Sequence, residues 1–325
     1  MNTPAEREPA PVRPVTILYI AGMARTGSTV LGELLGRVPD VAYVGELSQF
    51  WRRYSRRELC SCGRALPECG FWSRVVDEAF GDLPAARVEQ FIELERRLFR
   101  RRALRMLWSK RWATGSLAAD EMLEERSQLY AAASKVSGSR WIVDASKSPF
   151  FGASLACLSD ADLDVVQIVR DPRGVTYSWR KQVQSDSEPS NLARKHTAVA
   201  ALQWIADNLM TQLALRRLAS RYVLIRYEDL VAGPEAALRR VAEETGLPLS
   251  DPQAAVDDVA RPPADHHRVA GNPGVRRLGN AVHLSLDDEW RSGLPFRTQR
   301  LITALCALLM VGYGYPLRVL RRPPP

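Results

Sequence analysis

The sequence is poor in the residues that build metal centres, with only four histidines and five cysteines in 325 residues. The histidines, His196, His266, His267 and His283, have no zinc-like spacing. A protein zinc site usually needs four cysteine or histidine ligands at a recognisable spacing. The sequence therefore predicts a protein that requires no metal.

Three of the cysteines nevertheless cluster, as Cys60, Cys62 and Cys69 in "LCSCGRALPECGFW". With no histidine nearby along the chain, this set is one ligand short of a zinc site. Three interpretations stay open: a bound metal, a local disulfide, and free structural thiols, of which we favour the last. Cys157 and Cys306 have apolar neighbours and are predicted to be small core residues.

Long apolar runs are also missing. Residues 1–14 are proline-rich and lack the apolar core of a signal peptide, which predicts a disordered lead. The late run "LITALCALLMVGYGYP" is shorter than the roughly 20 residues of a membrane span and predicts a buried helix. We expect a cytoplasmic protein without a membrane span, with one domain over 15–317 and a basic, proline-containing tail over 318–325.

Five apolar, β-branched runs alternate with helical patterns, at 15–22, 41–46, 140–147, 164–172 and 222–230. This alternation predicts an α/β fold, a three-layer P-loop-like parallel sheet flanked by helices. Ligands of such sheets bind at the carboxyl ends of the strands. We therefore expect the polar residues that close the runs to converge on one rim: Arg25, Glu46, Lys147, Arg170 and Glu228.

Residues 73–136 form a predicted helical insertion with a dense arginine face. That face is either solvated or an electropositive wall toward an anionic ligand. Segments 184–196 and 261–280 are loop-like and of a length typical of binding loops. The net charge of +8 and the isoelectric point near 9.5 favour anionic ligands.

The stretch "GMARTGST" nearly matches the phosphate-binding P-loop, G-x-x-x-x-G-K-[ST]. Gly22 and Gly27 occupy the glycine positions, but Ser28 stands where the pattern has lysine. Backbone N–H groups at the start of the following helix suit a phosphate or a sulfate. The missing lysine argues against hydrolysis of ATP or GTP, and Arg25 is the only cation in the loop.

A second motif, "IVRDPRGVTYSWRKQ", places Arg170 at a predicted strand end and Ser178 about two helical turns further on. An arginine and a hydroxyl in this arrangement can hold one phosphate between them. The alternative is an ion pair between Arg170 and its neighbour Asp171.

Together the two motifs resemble the sulfotransferases that use 3′-phosphoadenosine 5′-phosphosulfate (PAPS). The first motif of that family, [KR]-x-G-[ST]-T, is matched here by Arg25, Thr26, Gly27, Ser28 and Thr29. The second, an arginine and a serine that bind the 3′-phosphate, is matched by Arg170 and Ser178. "RYEDL" at 226–230, on a late strand, is a third similarity. The resemblance spans 15–315, is strongest to bacterial and tyrosylprotein sulfotransferases, and places the first two motifs at opposite ends of the sheet.

The resemblance also implies roles in sulfuryl transfer. Arg25 and the loop would stabilise the leaving phosphate, and Lys147 would stabilise the transition state at the donor sulfate. Cytosolic members use a histidine where this chain has Pro149, so Glu46, which matches the glutamate of tyrosylprotein-type members, is the expected general base. Asp144 is the reserve candidate.

Further expectations concern the ligands. Arg276, in a basic loop after residue 267, would reach the phosphates of the donor, and Trp51, Trp179 and Trp204 are candidates to stack on adenine. The acceptor is a small molecule, a glycan or a lipid; no nucleic acid is expected, and a homodimer is allowed. The alternatives are a P-loop-type nucleotide kinase and a non-catalytic nucleotide-binding protein.

Overall fold

The computed structural model describes residues 14–180, 197–257, 267–270 and 285–318. The predicted lead, the loop at 184–196, nearly all of the tail and Arg276 therefore lie outside the described residues. Of the loop predicted at 261–280, only 267–270 is described.

Five parallel strands form the sheet in the order β2-β3-β1-β4-β5. Their bounds are β1 Val15–Ala21, β2 Val41–Gly45, β3 Trp141–Lys147, β4 Ala161–Val169 and β5 Arg221–Arg226. The three central strands are buried almost throughout, which explains why they are continuous apolar runs. The predicted α/β fold with a parallel sheet is confirmed.

Two details of the sheet differ from expectation. β1 pairs directly with β4 in the middle of the sheet, so the two anion-binding motifs are neighbours and do not lie at opposite ends. Sequence order does not give strand order, because a crossover connection can skip a position. The "YEDL" run is not strand either: β5 ends at Arg226, and Glu228 and Asp229 lie in the first turn of a helix, where acidic side chains are favourable.

In the described part of the chain, the α-helices of four residues or more are, in order, α1 Ser28–Leu35, α2 Phe50–Ser55, α3 Trp72–Phe80, α4 Ala85–Trp108, α5 Leu117–Ser137, α6 Pro149–Leu155, α7 Pro172–Arg180, α8 Thr197–Met210, α9 Tyr227–Ala232, α10 Pro234–Thr245, α11 Pro252–Asp257, α12 Trp290–Gly293 and α13 Phe296–Gly312. A five-residue π-helical segment, Thr211–Leu215, follows α8.

Separate apolar clusters cover the two faces of the sheet. On one face, α1 and α10 pack leucine and valine side chains against the strands. On the other face, the large cluster includes side chains from α3, α4 and α5, which lie between β2 and β3 in the chain. The arginines at 96, 97, 100 and 101 on α4 are exposed. Within the described ranges, no helix is both long and apolar enough to cross a membrane.

Candidate functional site

The loop after β1 has a backbone that only glycine fits at two positions. Gly22 has φ 137° and Gly27 has φ 89°, both in the region that side chains rarely adopt. A Cβ at Gly22 would lie 2.4 Å from the carbonyl oxygen of Ile168, and one at Gly27 would lie 2.5 Å from the ring of Tyr227. The loop is therefore folded tightly against β4 and the end of β5.

The loop leads directly into α1, which begins at Ser28. Leu31 donates the first helical hydrogen bond, to the carbonyl of Gly27 at 3.0 Å. Ser28 and Thr29 are buried at this helix end. The hydroxyl of Thr26 donates to the carbonyl of Met23 at 2.7 Å, which fixes the turn. Such a helix start attracts an anion through its N–H groups and the helix dipole.

Arg25 and Arg170 lie together beside this helix start. One guanidinium nitrogen of Arg170 donates to the backbone carbonyl of Arg25 at 3.1 Å. Burial lowers the pKa of Arg25, and the charge of Arg170 lowers it further. Two cations that oppose each other's charge in this way favour an anion between them. Arg25 also has φ 74°, a strained conformation for a side-chain-bearing residue.

Arg170 is held on three sides. Its guanidinium donates to the backbone carbonyl of Asp287 at 2.7 Å and pairs with the carboxylate of that residue at 3.1 Å. It also lies over the ring of Tyr227, 4.5 Å from the centroid. The alternative ion pair with Asp171 is wrong, because Asp171 pairs with Arg173 at 2.5 Å.

Helix α7 brings the second motif back toward Arg170. A Cβ at Gly174 would lie 3.1 Å from Nε of Arg170, so this face of the helix adjoins the guanidinium. Ser178 is four residues later and shares that face. The arrangement is compatible with one phosphate held by Arg170 and Ser178.

Glu46 and Lys147, which follow or end neighbouring strands, form an ion pair at 2.6 Å. Their side chains are 18% and 14% exposed, so the pair is partly accessible at the rim. Lys147 has φ 68°, and its carbonyl accepts from the N–H of Gly22 at 3.4 Å, which ties it to the glycine loop. The structure thus brings the expected base and the expected cation to one place.

Asp144, the reserve base, is fully buried. It accepts hydrogen bonds from the backbone N–H and the hydroxyl of Ser146, at 2.7 and 2.5 Å, and from the hydroxyl of Tyr130. Burial raises the pKa of Asp144 to about 6. The Ser146 hydroxyl accepts in turn from the N–H of Ser48, two residues after Glu46. Asp144 therefore acts through Ser146 on the backbone of Ser48, and Glu46 is the accessible carboxylate of the two.

The three tryptophans proposed for adenine lie in different surroundings. Trp51 is 7% exposed and donates to Glu125 at 2.5 Å inside the large core. Trp204 is fully buried and donates to the carbonyl of Arg170 at 3.0 Å. Trp179 is half-buried beside Arg25, whose guanidinium carbon lies 5.6 Å from the ring centroid. Of these three, Trp179 alone is both partly exposed and beside an anion-binding side chain, because Trp204 contacts the backbone of Arg170 from inside the core.

Sequence reasoning missed two residues that shape the site, Tyr227 and Asp287. The signal for Tyr227 was its position immediately after a buried strand, although the motif reasoning stressed the acidic residues that follow it. Asp287 had no signal, because it lies 117 residues from Arg170 in a segment without periodicity. Glu228, expected at the rim, accepts from the N–H of Asp171 at 3.0 Å and from the hydroxyl of Tyr315 at 2.6 Å. It holds the start of α7.

A central parallel sheet, a glycine loop that opens a helix, and two arginines beside the start of that helix define an α/β protein of the P-loop-like class, with a helix start suited to a phosphate or sulfate group. The sequence profile of the sulfotransferase family matches residues 18–251, and the chain belongs to that family. The predicted family is confirmed.

Curated relatives carry carbohydrate sulfotransferase names. Carbohydrate sulfotransferase 3 of Homo sapiens is 28% identical over 172 residues, which cover 48% of this chain and 34% of that protein. Carbohydrate sulfotransferase 7 of Mus musculus is 27% identical over 363 residues, covering 92% and 74%. The chain spans about a third of the length of the first of these relatives.

Solved structures agree on the fold. The sulfotransferase domain from the Synechococcus PCC 7002 olefin synthase superposes with a TM-score of 0.56 at 21% identity, covering 94% of this chain and 97% of that one. The sulfotransferase domain from the curacin biosynthetic pathway gives 0.54 at 19%, covering 94% and 100%.

Proposed function

We propose that the protein transfers the sulfuryl group of PAPS to a hydroxyl of a carbohydrate-containing acceptor. The observation that supports this most directly is the open Glu46–Lys147 pair at 2.6 Å beside the glycine loop. A protein that merely binds an anion has no use for a carboxylate at that position, since the carboxylate would repel the ligand.

The residues present fit such a donor. PAPS supplies an activated sulfuryl group on a 5′-phosphate and carries a second phosphate at the 3′ position. The start of α1 with Arg25 suits one anionic group, and Arg170 with Ser178 suits another. Because β1 and β4 are adjacent, the two binding sets lie side by side, as a single nucleotide with two phosphate positions requires.

In this proposal Glu46 accepts the proton of the acceptor hydroxyl. The ion pair with Lys147 at 2.6 Å holds that carboxylate in position while the acceptor enters. When the acceptor binds, the Lys147 ammonium can turn from Glu46 to developing negative charge on the transferred group. One ammonium then serves both the carboxylate and the transition state.

Arg25 and the first-turn N–H groups of α1 stabilise the leaving phosphate. Their backbone positions are fixed by the tight loop, so little reorganisation accompanies the reaction. Ser28 and Thr29 add hydroxyl donors at the same helix end. Ser28 in place of the P-loop lysine leaves less positive charge here than a triphosphate needs.

The names of the relatives support the choice of a carbohydrate acceptor over a phenol or a lipid. Exposed arginines on α4 suit an acceptor that already bears negative charge. The small-molecule and lipid acceptors remain competing outcomes of the test below.

The test combines ligand binding with turnover. We expect adenosine 3′,5′-bisphosphate to raise the melting temperature, while ATP with Mg²⁺ does not. Incubation with ³⁵S-labelled PAPS and panels of glycans, phenols and lipids should label a glycan. Stabilisation by ATP with Mg²⁺ alone would overturn the proposal in favour of a nucleotide kinase, and labelling restricted to phenols or lipids would overturn the acceptor class.

A further inference from the structure

Four side chains of the kinds that bind metal ions meet in the fold, three from one short segment and one from a distant part of the chain. They are Cys60, Cys62, Cys69 and His267, and their ligand atoms all lie within 4.8 Å of one another. Sequence reasoning counted three cysteines and no nearby histidine; the fold supplies the histidine from 198 residues beyond Cys69.

The distances suit a tetrahedral ion. Sγ of Cys62 lies 3.6 Å from Sγ of Cys69, and Nδ1 of His267 lies 3.9 Å from Sγ of Cys60 and 3.2 Å from Sγ of Cys69. A zinc ion with bonds of about 2.3 Å to sulfur and about 2.0 Å to nitrogen separates its tetrahedral ligands by roughly 3.5–3.8 Å. These three distances differ from the tetrahedral values by a few tenths of an ångström. The other ligand atoms lie within 4.8 Å of one another, so a zinc ion would draw them together by up to about 1 Å.

The backbone around the cysteines is organised as in a metal-binding turn. Cys60 and Cys62 lie in a tight hairpin in which the N–H of Cys60 donates to the carbonyl of Arg64 at 2.8 Å, and Gly63 adopts φ 84°. Cys69 lies just before α3, and its sulfur accepts from the backbone N–H groups of Phe71 and Trp72. N–H donors to sulfur orient and stabilise thiolate ligands.

His267 is also held from outside. Its ring stacks on Phe71 with the centroids 5.2 Å apart and the planes 3° from parallel. Its carbonyl accepts from the indole N–H of Trp72 at 2.8 Å. These contacts fix the ring with Nδ1 toward the sulfurs, so a metal ion would bind without reorienting the imidazole.

We propose that Cys60, Cys62, Cys69 and His267 bind one structural zinc ion. Three thiolates and an imidazole form a closed Cys₃His set, which is a structural rather than a catalytic arrangement. Because three of the four residues are buried or half-buried, the ion is shielded from exchange with solvent.

The ion would fasten a short segment against the rim of the sheet. After His267, Val269 donates to the carbonyl of Val44 and accepts from the N–H of Glu46, both at 2.8 Å. Arg268 pairs with Glu33 of α1. The metal therefore sits at one end of a brace whose other end fixes the backbone of Glu46; that link to catalysis rests on the proposed function, whereas the metal site does not.

Metal content tests the site directly. Untagged protein, purified without chelators, should contain about one zinc per chain by inductively coupled plasma mass spectrometry. Titration of this wild-type protein with a mercurial should release the zinc as the thiolates react. Cobalt substitution should give thiolate charge-transfer bands and tetrahedral d–d bands in the visible range.

Variants assign the ligands. His267→Ala and Cys62→Ser should lose the zinc, His267→Cys should keep it as a four-thiolate site, and Cys157→Ser, a matched control beside Trp112, should keep it too. Wild-type protein without metal, carrying either a Cys62–Cys69 disulfide or free thiols by mass spectrometry, would overturn the proposal. So would full zinc occupancy in folded His267→Ala. Neither outcome depends on whether sulfuryl transfer is observed.

Discussion

Two glutamate–cation pairs close to the end of β2 show how burial decides what an ion pair does. Glu46 pairs with Lys147 at the rim, where the side chains are 18% and 14% exposed. Glu33 of α1 pairs with Arg268, and those side chains are 2% and 5% exposed. Both are joined through Val269, which bonds to the backbone on either side of Gly45 and follows Arg268 in the chain.

The difference in exposure decides whether an ion pair can exchange its partner for a ligand or acts only as a structural link. An open pair can exchange its partner for a ligand at modest cost, because water and ligand replace the lost contact. A sealed pair cannot, since either charge left alone would be desolvated without compensation. The first arrangement suits proton transfer, and the second suits a permanent link between the 267–270 segment and α1.

The largest expected effect comes from Glu46→Gln, which removes the proton acceptor from the open pair. Transfer should fall by about 10²–10⁴-fold, the usual contribution of a general base. The measurement is kcat with labelled PAPS, alongside the affinity for adenosine 3′,5′-bisphosphate, which should be unchanged. Glu124→Gln, on the exposed face of α5, is the control. A near wild-type rate in Glu46→Gln would show that another group accepts the proton.

Arg268→Met breaks the sealed pair and leaves the Glu33 carboxylate buried without its cation. The free energy of unfolding, measured by urea denaturation, should fall by about 3–5 kcal/mol. Adding Glu33→Leu should recover most of the loss, because the uncompensated charge is removed. The exposed pair Arg96–Glu93 provides the contrast, since water already screens both charges and Arg96→Met should lower the free energy of unfolding far less than Arg268→Met does. Equal effects of the two single variants would contradict the distinction.

Arg170→Lys tests the guanidinium group that contacts the glycine loop after β1. Lysine lacks the planar donor geometry, so at least one charge-assisted hydrogen bond is lost. Affinity for adenosine 3′,5′-bisphosphate should drop by about 10- to 100-fold, as expected for a charged hydrogen bond of roughly 1.5–3 kcal/mol. Isothermal titration calorimetry measures this, with Arg180→Lys at the exposed end of α7 as control. Unchanged affinity would remove Arg170 from the binding set.

The smallest expected effect is on the pH dependence of stability and concerns a third glutamate, Glu125. This residue is buried, and its side chain accepts a hydrogen bond from the indole of Trp51. Burial raises its pKa from 4.5 to about 7. The folded protein thus holds this proton more tightly than the unfolded chain, and the free energy of unfolding falls as the pH rises through that interval. Glu125→Gln keeps an acceptor for Trp51 without titrating, so the decrease in melting temperature from about pH 5 to about pH 8 should shrink. If Glu125→Gln leaves the pH dependence of the melting temperature unchanged, the pKa of Glu125 is not raised in the folded protein.

The sequence predicted the elements whose signals are local. Apolar runs predicted the five strands, and the rule that parallel strands end at one edge predicted that Glu46 and Lys147 would lie together. Contacts that depend on strand order or on segments far apart in the chain were not predicted from the sequence. The adjacency of β1 and β4, the Asp287 partner of Arg170 and the approach of His267 to three cysteines are set by tertiary packing, and no periodicity in the chain encodes them.

Tyr227 has a consequence for anyone who would move this loop into another protein. Its ring fills the space beneath Gly27 and supports Arg170 from below, so the two anion-binding motifs share one aromatic floor. A graft of "GMARTGST" alone would lack the Tyr227 ring, so Gly27 would lose the side chain against which it packs. The smallest transferable unit is therefore discontinuous, made of the loop, the β4 end with Arg170, and a single tyrosine supplied by a third segment.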